Sequence, residues 1–146
     1  MSCKSMIFVG APTTSTITTV TGTTIATVYN LPLGDIQRGF GCDLNATNNA
    51  VQVRNAGYYN VDVAATLTPA VAGLYQVGLY LDGQLIPGTL QQVTAVAGAA
   101  ISFGFPAAIR IGCCGDTQNL TLGLTTDAAA ASAIVVNNTA LRVTRD

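Results

Sequence analysis

The chain has 146 residues, enough for one domain with a sizeable core. Apolar residues make up 49% of it and charged residues only 9%, for a formal net charge of −1. That balance gives no electrostatic footprint for nucleic acid or an anionic membrane surface. No apolar run is long enough to cross a bilayer as a helix.

There is no His, no Trp and no Glu, and Thr and Ala dominate. Thr, Val, Ile and Tyr suit a pleated, half-buried surface, whereas the helix formers Glu and Lys are almost missing. An all-β protein follows. The six basic residues (Lys4, Arg38, Arg54, Arg110, Arg142 and Arg145) are scattered along the chain. So few charges are unusual for a free monomer and suit a protein that hides surface in an assembly.

In chain order, residues 1–22 read as an N-terminal arm or attachment segment, and residues 23–146 as the folded domain. The run MIFVG (6–10) follows Lys4 but is too short for a signal-peptide core. Met6, Ile7, Phe8 and Val9 are its candidate attachment residues. Residues 13–28, TTSTITTVTGTTIATV, are uncharged and β-prone. They read either as a strand pair with a linker or as an extended arm docked on a neighbour. Residues 30–49 turn to Gly, Pro, Asn and Asp, which gives loops with short strands.

From residue 50 the strand signals become regular. AVQVR (50–54) alternates, and NAG (55–57) makes a turn. YYNVDVAATL (58–67) puts Tyr59, Val61 and Val63 on one face and Tyr58, Asn60 and Asp62 on the other. GLYQVGLYLDGQLIPG (73–88) is a strand, an Asp82-Gly83 turn and a short second strand. Asp-Gly marks a hairpin because both positions tolerate positive φ. AAISFGFPAAIRI (99–111) lines up Ile101, Phe103, Phe105, Ile109 and Ile111. GCCGD (112–116) is the next turn, QNLTLGLTT (118–126) the next strand, and TALRVTRD (139–146) the last. DAAAASA (127–133) reads as a loop in a crowded place that admits only small side chains. Repeated short strands at this spacing predict a sandwich or barrel.

The chemistry is sparse. Without His or Glu, general bases reduce to seven Asp residues and the cysteines. A Ser or Cys nucleophile would lack its imidazole partner. Asp35, Asp43, Asp82, Asp116 and Asp127 fall in turns, where Asp bonds its local backbone. No catalytic, cofactor or metal residues are assigned. A zinc site would want His or paired CxxC ligands, and neither occurs. Calcium at turn aspartates, or an ion where three turns meet, stays open. Cys3, Cys42, Cys113 and Cys114 read as small, partly buried thiols, since Cys113–Cys114 would need a strained vicinal ring. Asn45, Asn119 and Asn137 match glycosylation sequons by chance in a chain rich in Thr and Asn. Tyr29, Tyr75 and Tyr80 are the aromatics that could stack on a glycan, although Tyr75 and Tyr80 lie on a strand and read as packing.

The order NAGYYNVDV, GLYLDGQLIPG, a Gly-Asp turn before NLTLGL, and a terminal ALRVTRD resembles the tumour-necrosis-factor-like and complement-globular-head jelly rolls. It is most like their bacterial and phage structural heads, such as the C-terminal domains of spore-surface collagen-like proteins and phage head-fibre or decoration proteins. The resemblance covers roughly residues 23–146. It departs in lacking a collagen-like Gly-X-Y stretch and in placing Cys-Cys before the Gly-Asp turn. It implies a non-enzymatic, ten-strand jelly-roll sandwich that assembles as a homotrimer. Tyr59, Val61, Val63, Phe103, Phe105, Ile109, Ile111, Leu141 and Val143 would then face the subunit core. Tyr58, Asn60, Asp62, Arg110 and Arg142 would face the trimer axis. There Asp62 pairs with Arg142 or Arg110, within or across subunits, or these remain solvated charges.

Further implied are a place on a phage virion surface after assembly in the host cytoplasm, and partners among virion proteins such as the major capsid protein. A spore- or cell-surface head is the alternative, as is a receptor- or glycan-binding module that meets host surface glycan. Neither nucleic acid nor membrane is an expected partner.

Overall fold

The computed structural model describes residues 5–10, 14–18, 28–41, 43–47, 49–112, 118–127 and 133–145. Its strands are β1 (Met6–Gly10), β2 (Ser15–Thr18), β3 (Tyr29–Asn30), β4 (Asp35–Phe40), β5 (Leu44–Thr47), β6 (Ala50–Val53) and β7 (Gly57–Pro69). They continue as β8 (Gly73–Leu81), β9 (Gln84–Leu85), β10 (Gln91–Ala95), β11 (Ile101–Ile111), β12 (Gln118–Thr126) and β13 (Ala133–Arg145). No helix occurs among the described residues.

The strands form two antiparallel sheets. Sheet I runs β11-β7-β13-β1-β4, with β2 added on β13. Sheet II runs β10-β8-β12-β6-β5, with β3 on β12 and β9 on β8. These two paths hold the ten principal strands expected from the resemblance. From β6 to β8, and again from β10 to β13, successive strands switch sheets. Most pairings therefore join residues far apart in sequence, and burial rather than local turns must fix the register. A slip of one residue would turn every apolar side chain of a strand to the wrong face.

The inward faces supply the core. Tyr59, Val61, Leu67, Tyr75, Val77, Leu79, Leu120, Leu122, Leu124, Leu141 and Val143 are buried. Of the nine residues expected inside, Phe105 alone is half-buried, and it still packs against the core. The Asp82-Gly83 turn has φ of 49° and 83°, the paired positive values of a tight hairpin turn. Asp82 is held further by Asn119, whose backbone N–H donates to Asp82 Oδ1 at 2.9 Å.

At one end of the sandwich the first and last described strands are clasped. Asp43 is fully buried. Its carboxylate accepts hydrogen bonds from Ser5 Oγ at 3.0 Å and Arg145 Nη1 at 2.7 Å, and from the side-chain amide of Asn55. Arg145 also donates to the Ala56 carbonyl at 2.7 Å, and Tyr59 Oη donates to the Asn55 carbonyl at 2.7 Å. Gly57, at φ +152°, leaves the room Arg145 needs, because a Cβ there would lie 3.0 Å from Arg145 Nε. Burial pushes the Asp43 carboxyl up, but the hydrogen bonds from Asn55, Arg145 and Ser5 outweigh it and hold the group below its ordinary value.

Candidate functional site

The cross-strand register lays out the outward face of sheet I in rows. One row reads Arg38, Phe8, Arg142, Asp62, Pro106 from β4 across to β11. The next reads Asp35, Gly10, Ala140, Ala64, Gly104, and the row on the other side Phe40, Met6, Thr144, Asn60, Ala108. The middle of the second row is glycine and alanine on four adjacent strands, so the face dips there. A depression of about 370 Å³ opens beside it, lined by Phe8, Asp62, Val63, Ala64, Ala140 and Arg142.

Tyr58, Asn60, Asp62, Arg110 and Arg142 all lie on this face and are exposed in the single chain. Arg142 Nη2 meets Asp62 Oδ2 at 2.5 Å, with 58% and 55% of the two side chains exposed. This choice between the two candidate arginines follows from register, since Arg142 is the direct cross-strand neighbour of Asp62. Arg110 stands opposite Tyr58 instead, its guanidinium carbon 5.9 Å from the ring centroid. An ion pair this exposed contributes between about 0 and 1 kcal/mol.

Met6, Ile7, Phe8 and Val9, expected in an attachment arm, form β1 between β13 and β4. Ile7 and Val9 are in the core, while Met6 and Phe8 are half-buried on the outward face. Met6–Gly10 is therefore a strand in the middle of sheet I rather than a free arm. Phe8 carries no sequence signal for the face because its strand is five residues long and one of its two partners, β13, lies at the opposite end of the chain. The small residues Ala64, Ala140 and Gly104 carried the required alternation but no chemistry to draw notice.

Other sequence candidates fare differently. Tyr75 is fully buried and donates from Oη to the Val71 carbonyl at 2.6 Å; Tyr80 is 9% exposed, and Tyr29 is half-buried. Tyr75 and Tyr80 thus serve packing and offer no open ring for a sugar. Cys3, Cys42, Cys113, Cys114 and Asp116 lie outside the described residues. Among the described residues no three His, Cys, Asp or Glu side chains are grouped to hold a metal ion. No helix among them is long and apolar enough to cross a membrane. The outward face of sheet I thus combines a small-residue row and its depression with the Arg142–Asp62 pair.

Neither a known protein family nor a curated protein matches this chain. Solved structures do match its fold. Murine APRIL at pH 8.0 superposes with a TM-score of 0.59 at 15% identity, over 99% of this chain and 100% of that one. Eiger TNF from S. frugiperda superposes with a TM-score of 0.58 at 12% identity, over 97% of this chain and 91% of that one. The PRD1 vertex protein P5 aligns more loosely, at a TM-score of 0.48 and 12% identity, over 99% of this chain and 73% of that one. With the two sheets and their strand order, the likenesses to APRIL and Eiger TNF show that the chain has the TNF-like jelly-roll fold.

Proposed function

We propose that the chain is a non-enzymatic structural protein that associates as a homotrimer through the outward face of sheet I. In this reading it is displayed on a phage virion, as a capsid decoration or head-fibre protein. The observation that carries the reading is the make-up of that face. Its centre is Gly10, Ala140, Ala64 and Gly104, flanked by Phe8 and Pro106; Ala64, Gly104 and Pro106 are exposed in the single chain and the other three half-buried. Small side chains let a neighbour approach closely, and the few charges are partly compensated at the Arg142–Asp62 pair. A face of this kind is what a symmetric interface between copies covers.

The low total charge of the chain supports the same reading, since an assembled particle component leans less on its own surface charges. The TNF-like fold is compatible with it but carries function only by analogy. Tyr58, Asn60, Asp62, Arg110 and Arg142 would then be interface residues, and the partners would be two further copies and a capsid protein.

Gold-labelled antibody against the chain, applied to intact phage particles grown from the source genome, tests the location. Regular labelling of the particle surface is the expected result. Particles free of label, with the chain recovered only from the cell fraction, would remove the virion assignment.

A further inference from the structure

Among the described residues the main path of sheet I ends in two edge strands, β11 and β4, and an edge strand offers unpaired N–H and C=O groups to any extended chain. Both edges carry blocking groups. On β11, the Gly104 N–H donates at 2.8 Å to Oε1 of Gln91, which comes from β10 in the other sheet. The Gly104 N–H thus points away from β7. By the two-residue repeat of a strand, positions 102, 106, 108 and 110 point the same way. Position 106 is proline and has no N–H to offer. Two successive outward donor positions in the middle of this edge are therefore closed, one by a side chain and one by a ring. Gln91 is the cross-strand partner of the core residue Val77, an inward position where an apolar side chain would otherwise serve.

On β4 the register shifts between Phe8 and Val9, so Gln37 is an extra residue facing no partner on β1. Its Nε2 donates to the Gly10 carbonyl at 3.2 Å and the Asp35 carbonyl at 3.4 Å, which closes the bulge. A bulge bends and twists an edge out of the geometry that an added strand needs.

We infer that the β11 and β4 edges of sheet I are closed to strand addition by Gln91, Pro106 and the bulged Gln37. The excluded partner is an extended segment, from a second copy or a foreign chain, that would hydrogen-bond along β11 or β4. The inference stands apart from the trimer proposal, because it concerns species above whatever the wild-type mass is.

The test compares the full-length chain with Gln91→Ala, Pro106→Val and the double variant by sedimentation velocity and thioflavin fluorescence after prolonged concentrated incubation. Circular dichroism confirms the fold in each case. Pro106 is exposed and valine favours strands, so Pro106→Val keeps the test sound even if the double variant does not fold. Gln92→Ala, which alters the neighbouring β10 residue bonded to Gln76, is the control. The wild type and control should remain one species, whereas Pro106→Val should form larger, concentration-dependent species. The double variant should form several-fold more of them. Variants that keep their fold and stay at the wild-type mass would overturn the inference.

Discussion

Arg142 and Arg145 lie three residues apart on β13, and their guanidinium groups meet carboxylates in different surroundings. Arg145 and Asp43 are 14% and 0% exposed, with Ser5 and Asn55 completing the carboxylate's hydrogen bonds. Arg142 and Asp62 are 58% and 55% exposed on the outward face of sheet I. The first pair is desolvated, so losing one partner strands a buried charge. Water and salt screen the second, so its value to the isolated chain is small. The same residue types thus serve the fold at the clasp, while on the face they stand where a neighbour can meet them.

Breaking the clasp should have the largest effect. Arg145→Ala should destabilise the chain by about 3–5 kcal/mol, read as a lower urea midpoint, because Asp43 stays buried without its cation. Next comes acid. The Asp43 carboxyl is held below its ordinary value of 3.8, so the unfolded chain binds its proton more readily than the folded one. The stabilisation is complete above the unfolded value and is lost as pH falls through the folded one. Thermal melts should therefore fall steeply once the pH drops below 3.8, and Asp43→Asn should flatten that dependence at the expense of stability near neutrality. At the other pair, Asp62→Ala should cost less than about 1 kcal/mol in the same urea titration. A loss equal to that of Arg145→Ala would erase the distinction. Ala64→Arg, at an exposed position, should shift fold stability by no more than about 0.5 kcal/mol while crowding the small-residue dip on sheet I.

Much of the face could be read from the chain, and the clasp could not. Alternation in YYNVDV sorted Tyr59, Val61 and Val63 from Tyr58, Asn60 and Asp62, because a half-buried strand must show its period of two. The Asp82-Gly83 turn was legible because its backbone angles demand particular residues. Asp43 read as a turn aspartate, since its partner Arg145 lies 102 residues away and no local pattern encodes that meeting. β1 reads as an arm in sequence because five residues with two core side chains become a central strand only when β13 and β4 flank them. Gln91 and Gln37 carried no sequence signal either, as their roles depend on which strands end at an edge.

The most direct measurement is sedimentation equilibrium of the wild-type chain beside Ala64→Arg. Homotrimeric association through sheet I predicts three chain masses for the wild type across the concentration range and a single chain mass for the folded variant. A wild-type chain that sediments as one copy at every concentration, or an Ala64→Arg variant that still sediments as three, would contradict it.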